Sequence, residues 1–242
     1  MRTIYVAILL FSLSTVVQSD GKVIIAVREN FSLSRLYVEI LTEAYRRSDI
    51  PIEFSYLPGG SSLKYSDSGE LGLAGEAGRL SGVLSEYKNL KPVSIPIYQS
   101  ELMAFVSDKN MRINSWDDLQ GFEVTTRLGF KVVINKVGAE NIKIVDNTEA
   151  ALLLIEKNRS DIAVLSRVDG LAAIKKLKLK NVYMLGKPLQ SSPVFHLLNK
   201  ANWHLIPRLE AALRSMSEAD VLNELVQRVE QEIIASGCSE NC

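Results

Sequence analysis

The sequence predicts an α/β fold of two lobes, each built around a mostly parallel sheet, with a cleft between them. Short apolar runs of strand length alternate with segments of helical periodicity. This alternation occurs in two successive blocks, and the chain then returns through one more strand into two amphipathic helices. Ligands of such sheets bind at the carboxyl ends of strands, so the cleft is the expected site.

The first residues have the pattern of a secretory signal peptide. Arg2 supplies a positive charge, residues 4–13 are largely apolar, and Val17 and Ser19 are candidates for the residues that a signal peptidase reads. A membrane anchor is the alternative, but the run is shorter than the roughly 20 apolar residues that span a bilayer. We expect residues 1–19 to be cleaved, and the absence of a nearby cysteine argues against a lipoprotein anchor.

The charge balance argues against a nucleic-acid partner. Lysine and arginine together number 28, aspartate and glutamate also number 28, and the formal net charge is zero. Proteins that bind nucleic acid usually carry a basic excess. We therefore expect no nucleic-acid partner. The expected ligand is a small molecule, and we also expect a monomer without a cofactor.

The chain has two cysteines, Cys238 and Cys242, close to its end. In an oxidising compartment a nearby pair is expected to form a disulfide. A zinc site is the weaker alternative, because two thiols without a close histidine do not complete a tetrahedral set of ligands.

The first lobe is expected to comprise residues 20–105 and 194–242, and the second lobe residues 106–193. Strands are predicted at residues 23–27, 52–56, 71–74, 101–107, 122–126, 142–145, 161–165, 181–185 and 194–198. Helices are predicted at residues 34–45, 63–67, 115–121, 129–137, 150–157, 171–177, 203–216 and 218–235. Ser34 is the expected cap of the first helix, and capping boxes are expected at Ser115 and at Asp146 with Glu149.

Several short motifs occur in an order that resembles a known family. They are PGGSSL at 58–63, SGE at 68–70, GEAGR at 75–79, SWDDLQG at 115–121, and further segments at 149–163 and 198–216. Together they resemble the extracellular solute-binding proteins of family 3, which include the polar amino-acid receptors of ABC transporters. The resemblance covers nearly the whole mature chain. It implies a type II periplasmic-binding-protein fold and a periplasmic location.

The resemblance also implies a ligand contact. An arginine of the first lobe usually binds a ligand carboxylate in such receptors, and Arg79 matches it. The alternative is a surface arginine at the start of a helix. In the second lobe these receptors place an aspartate that pairs with the ligand's ammonium group, whereas this chain has Ser166 there. Either Asp169 takes that role, or the ligand lacks an α-amino group, which we favour slightly.

Other charged and aromatic residues follow predicted strands and are candidates for the same cleft. Arg28 follows the first strand, Arg127 lies on a second-lobe loop, and Arg167 is next to Ser166. A cleft that contained these arginines would prefer an acid, although strand-end charges are often merely solvated. Phe31 stands where these receptors place an aromatic ring, but a core role is equally compatible with its sequence position.

The sequence favours a binding protein over an enzyme. His196 and His204 are the only histidines, and no catalytic triad, metal spacing or phosphate loop accompanies them. Because some relatives with this fold are dehydratases that use carboxylates, Glu76 is the alternative catalytic residue. The expected partner is an inner-membrane permease or a membrane sensor protein. A degenerate receptor that binds only protein is a third possibility.

Overall fold

The computed structural model describes residues 21–238. The predicted signal peptide at residues 1–19, and Cys242 of the predicted disulfide, lie outside the described residues, so both stay predictions. Within residues 21–238, ten strands form one sheet. They are β1 (Val23–Arg28), β2 (Ile52–Leu57), β3 (Leu73–Leu80), β4 (Leu90–Pro92), β5 (Tyr98–Val106), β6 (Val124–Arg127), β7 (Ile142–Val145), β8 (Ile162–Ser166), β9 (Tyr183–Met184) and β10 (Gln190–Asn199).

Helices cover this sheet. They are α1 (Ser34–Arg47), α2 (Gly59–Ser68), α3 (Lys131–Val137), α4 (Thr148–Glu156), α5 (Arg167–Leu177), α6 (Ile206–Glu218) and α7 (Val221–Ser236). Single 3-10 turns connect several of these elements. No helix among residues 21–238 combines the length and the apolar character that crossing a membrane requires.

The strand order is β2-β1-β3-β10-β5-β8-β6-β7, with β4 paired to β10 and β9 paired to β5. Strand β1 is parallel to β2 and β3, and β6 is parallel to β7 and β8, as predicted. The long strands β5 and β10 are antiparallel to each other and to their neighbours, so the whole sheet is mixed. We call the half with β1–β3 the first lobe and the half with β6–β8 the second lobe. Their exact boundaries stay a prediction.

Each lobe buries its own apolar residues. In the first lobe the predicted face of α1 is fully buried, with Leu36, Ile40 and Leu41 at 0 % exposure. Burial of each such side chain contributes about 1.5–3 kcal/mol. In the second lobe, α4 packs Leu152 and Ile155 against the strands. These two cores place the strand ends β1, β3, β6 and β8 around the junction of the lobes.

Several elements differ from their predicted bounds, and β3 and α5 show why. Strand β3 runs to Leu80, well beyond the predicted 71–74, because Glu76 and Arg79 pair with β10 although their side chains are charged. Helix α5 begins at Arg167, four residues before the prediction. Gly170 weakens the helical pattern, yet a Cβ at this position would lie 2.1 Å from Cζ of Phe105. The close approach of α5 to β5 therefore requires glycine.

Two of the predicted helix caps, at Ser34 and at Asp146, are wrong. Ser34 is the first helical residue and its Oγ donates to the Arg28 carbonyl, rather than capping α1. Asn147, not Asp146, caps α4, because its Oδ1 accepts from the Ala150 N–H at 2.8 Å. The segment 115–121 forms only a 3-10 turn at Asp117–Leu119.

The hydrogen bonds of this segment centre on Asp118, three residues after Ser115. The Oδ2 atom of Asp118 accepts from the N–H groups of Asn114 and Ser115, at 2.8 Å and 3.0 Å. The bond to Ser115 is the one that the fourth residue of a capping box makes to the first, so the predicted box forms in part, but only a 3-10 turn follows it.

Candidate functional site

A cavity of about 520 Å³ lies between the two lobes. Volumes of this size accommodate a small molecule. Six of the predicted ligand-binding residues line it, namely Arg28, Phe31, Arg79, Arg127, Ser166 and Asp169. The seventh, Arg167, is not among the described lining residues. The strand ends of both lobes therefore converge on one cleft, as the topology predicts.

The first-lobe side begins where β1 ends. The Arg28 guanidinium lies over the ring of Phe31, with Cζ 3.3 Å from the ring centroid. Burial, together with the positive charges of Arg79 and Arg127, lowers the pKa of Arg28 to about 10. Among the described residues, the Arg28 side chain has no carboxylate within salt-bridge distance. It is a partly buried cation without an acidic partner in contact.

Arg79 lies beside it, on β3. Its Nε donates to Glu76 Oε1 at 3.0 Å, and its Nη2 donates to the Gly59 carbonyl and to Ser62 Oγ, both at 2.8 Å. The side chain is 11 % exposed, so the alternative of a surface arginine at a helix start is wrong. These contacts fix one edge of the guanidinium while the residue still lines the cavity.

Glu76 lies beneath Arg79 and is 1 % exposed. Burial raises the pKa of its carboxyl group, and the neighbouring charge of Arg79 opposes this rise. Its main-chain carbonyl accepts from Nδ1 of the buried His196 at 2.8 Å, and His196 Nε2 lies 2.9 Å from the Tyr45 hydroxyl. Glu76 is not among the described residues that line the cavity. Its surroundings fit the support of Arg79 better than contact with a substrate.

The second-lobe side repeats the arrangement of the first. Arg127 ends β6, and its Cζ lies 4.4 Å from the ring centroid of Phe130. Lys131, the first residue of α3, adds a further positive charge to the cavity wall. Gly129 has a φ of 93°, and this left-handed conformation turns the chain from β6 towards α3. The turn places Arg127 and Lys131 on the same wall.

Ser166 and Asp169 complete this wall. Ser166 is the last residue of β8, and Asp169 lies in the first turn of α5 with 1 % exposure. The Asp169 carboxylate accepts a hydrogen bond from Ser32 Oγ, which belongs to the β1–α1 loop of the first lobe. This contact bridges the two lobes.

Arg167 is the first residue of α5, and its guanidinium binds carboxylates instead of lining the cavity. Its Nη2 donates to both carboxylate oxygens of Glu230 on α7, and its Nε lies 2.8 Å from Glu101 Oε2. The arginine therefore connects α5 of the second lobe to α7 of the first.

Sequence reasoning missed three aromatic residues of the cleft, Tyr37, Tyr87 and Phe130. Tyr37 is 4 % exposed, lines the cavity and lies 6.0 Å from the Phe31 ring centroid. Its place on the buried face of α1 made it look like an ordinary core residue. Phe130 had a usable signal, since both Arg28–Phe31 and Arg127–Phe130 have the spacing Arg-x-x-Phe after a strand.

A wider depression of about 760 Å³ lies elsewhere on the second lobe, beside Trp116 and Lys143. It involves only one lobe, and its walls include the 3-10 turn at Asp117–Leu119. We favour the cleft because residues from both lobes converge there and because its wall is rich in buried or partly buried charge.

The fold has many counterparts among solved structures. No protein-family model matches the sequence, and no curated protein matches it. The chain superimposes on the GluR0 ligand-binding core in complex with L-glutamate with a TM-score of 0.71, at 14 % identity, covering 87 % of this chain and 98 % of that one. The chain also superimposes on a histidine kinase sensor domain with similarity to periplasmic binding proteins. The TM-score is 0.66 at 12 % identity, and the match covers 86 % of this chain and 95 % of that one.

A third structure is an amino-acid ABC transporter substrate-binding protein, AbpA from Streptococcus pneumoniae, bound to L-arginine. It gives a TM-score of 0.66 at 13 % identity and covers 89 % of this chain and 97 % of that one. At such low identity these likenesses establish the fold alone. The chain has the two-lobed type II periplasmic-binding-protein fold.

Proposed function

We propose that this protein is a periplasmic binding protein that captures a small carboxylate-bearing molecule by closing its two lobes and presents it to a membrane transporter. One observation carries the proposal: the guanidinium groups of Arg28, Arg79 and Arg127 line a single cavity between the lobes. Guanidinium groups match carboxylates with paired hydrogen bonds, and an anion offsets the repulsion among the three cations.

The acidic residues of the cleft support a ligand without an ammonium group. Asp169 is buried and accepts a hydrogen bond from Ser32, so its carboxylate already contributes to the contact between lobes. Ser166 offers a hydroxyl group where an ammonium-binding carboxylate is expected. Glu86 also lines the cleft, but it is exposed. Four cationic and two acidic side chains line the cavity, which favours an anionic ligand.

A membrane sensor is the second candidate partner. The likeness to a histidine kinase sensor domain, and to the BvgS VFT2 domain of Bordetella pertussis at a TM-score of 0.64, supports this alternative. Crosslinking of the exported protein in cells, followed by mass spectrometry, distinguishes the two. A crosslinked permease supports transport, and a crosslinked sensor protein supports signalling.

A thermal-shift screen tests the binding function. The panel contains monocarboxylates, dicarboxylates, amino acids, polyamines and small sugars. A ligand at about 100 times its Kd stabilises the native state by about 2.7 kcal/mol, so a bound acid raises Tm. Arg79→Gln is expected to abolish the shift. The control Arg112→Gln removes an exposed arginine whose Nη1 contacts only nearby carbonyls, at 2.9 Å and 3.3 Å, and should preserve it. A panel without any acidic hit contradicts the proposal.

A further inference from the structure

Each lobe contributes an arginine that lies over a phenylalanine ring to the cleft. Strand β1 ends at Arg28 and strand β6 ends at Arg127, and each arginine is followed three residues later by a phenylalanine. Each guanidinium lies over that ring, at 3.3 Å for Phe31 and 4.4 Å for Phe130. A ring beneath the flat face of a guanidinium restrains its orientation and leaves the N–H groups at its edge to contact a ligand.

In the first lobe, Arg79 adds a second cation next to the arginine–phenylalanine pair. Arg79 is fixed next to Arg28 by its hydrogen bonds to Gly59 and Ser62. Gly59 makes this possible, because a Cβ there would lie 2.8 Å from Arg28 Cδ and 3.9 Å from Arg79 Nη2. The first lobe therefore presents two neighbouring guanidinium groups, a suitable site for one carboxylate.

The arginine–phenylalanine pair of the second lobe, Arg127 and Phe130, lines the same cavity from the opposite side. Arg127 and Lys131 line it from β6 and α3. The charges of Arg79 and Arg127 both act on Arg28 and lower its pKa. A ligand with one acidic group contacts the cations of one lobe only, whereas a ligand with two acidic groups reaches the cations of both lobes.

We infer that the cleft binds a small molecule with two acidic groups, one contacted by Arg28 and Arg79 on the first lobe and the other by Arg127 on the second. A ligand of this kind connects the two arginine–phenylalanine pairs and stabilises the closed arrangement of the lobes. The inference rests on the proposed function and adds that the ligand is a dicarboxylate small enough for a cavity of about 520 Å³.

Calorimetric titration with chain-matched probes tests the inference. The probes are succinate, glutarate and adipate, compared with butyrate, valerate and hexanoate. In the wild type, the best dicarboxylate is expected to bind about 10- to 100-fold more tightly than the monocarboxylate of equal length, as one additional charged hydrogen-bonding contact implies. Arg127→Gln should lower the affinity for the dicarboxylates much more than that for the monocarboxylates, so that the ratio of the two affinities falls towards one. Arg28→Gln should weaken both kinds of probe.

Arg112→Gln again serves as the control, since it removes the same charge outside the cleft. Circular dichroism of each variant verifies that the fold is retained. The inference of a ligand with two acidic groups is wrong if the monocarboxylates bind as tightly as the dicarboxylates, or if Arg127→Gln leaves the ratio of their dissociation constants unchanged. In either case the proposed binding of an acid is still supported. If no acid of either series binds, the proposed function itself fails.

Discussion

The guanidinium of Arg167 binds the carboxylate of Glu230 across the junction of the lobes, with Nη2 lying 2.6 Å from Oε1 and 2.5 Å from Oε2. The Tyr98 hydroxyl donates to the same Oε1 at 2.6 Å. Glu230 is 7 % exposed, whereas the Arg167 side chain is 27 % exposed. The pair thus connects α5 of the second lobe to α7 of the first, and neither residue is among the described residues that line the cavity.

Arg167→Met is expected to destabilise the protein, because it leaves the carboxylate of Glu230 buried without its positive partner. The loss of a charged, partly exposed hydrogen-bonded pair should cost about 2 kcal/mol of unfolding free energy. Urea denaturation measures it. The control is Arg228→Met, which lies on α7 like Glu230. It breaks exposed ion pairs with Glu39 and Glu232 and should lower the free energy of unfolding by less than about 1 kcal/mol.

A double variant sharpens this test. Glu230→Gln removes the buried charge, so Arg167→Met should cost much less in its presence than in the wild type. Equal costs in the two backgrounds, or equal costs for Arg167→Met and Arg228→Met, contradict a stabilising pair between the lobes.

The buried His196 predicts a dependence of stability on pH. Burial lowers its pKa from 6.5 to about 4, so the folded state excludes a proton that the unfolded chain accepts below pH 6.5. The free energy of unfolding should therefore fall as the pH falls from 6.5 towards 4, by about 3 kcal/mol from this group. Glu76 acts in the opposite sense, since its raised pKa lets the folded state retain a proton above pH 4.5.

A comparison of variants isolates the histidine. His196→Asn should reduce stability at neutral pH and flatten its decline between pH 6.5 and 4, as measured by denaturation at several pH values. His204→Asn, which replaces the exposed histidine, should reproduce the wild-type slope. An unchanged slope in His196→Asn means that another group causes the acid sensitivity.

Two adjacent glycines allow a matched test of the first-lobe site. An alanine Cβ at Gly59 would lie 2.8 Å from Arg28 Cδ, whereas one at Gly60 meets nothing within 4 Å. Gly59→Ala should displace the Arg28 side chain and weaken binding of the acidic probe by about 10-fold, the equivalent of one weakened charged hydrogen bond. Gly60→Ala should leave the Kd unchanged. Titration of both variants compares them, and equal affinities would show that Arg28 does not contact the ligand.

Much of the fold could be predicted from the sequence. Strands β1 and β7 have the expected positions because their apolar runs are bounded by polar residues. The end of β3 could not be found in this way, since Gly75, Glu76 and Arg79 interrupt the apolar pattern where the strand approaches the cleft. The start of α5 was missed for a similar reason, because Gly170 serves packing against Phe105 rather than helix propensity.

The sequence predicted those residues of the candidate site that lie at the ends of predicted strands. Arg28 and Arg127 end strands, so the topology brings them together. Arg167 comes one residue after the end of β8, and its guanidinium binds Glu230 instead of lining the cavity. Tyr37 could not be distinguished from the core positions of α1, because a buried helical face and a cleft wall have the same sequence pattern.

The central claim is that the cleft binds a negatively charged ligand, and the most direct measurement compares an acid with its uncharged counterpart. The best acid of the screen and its primary amide have nearly the same shape, so calorimetric titration of both separates charge from fit. We predict that the acid binds at least about 10-fold more tightly, because a carboxylate presents two charged acceptor oxygens to Arg28 and Arg79, whereas an amide presents one uncharged acceptor oxygen and an N–H donor. Equal affinities for acid and amide would contradict the account.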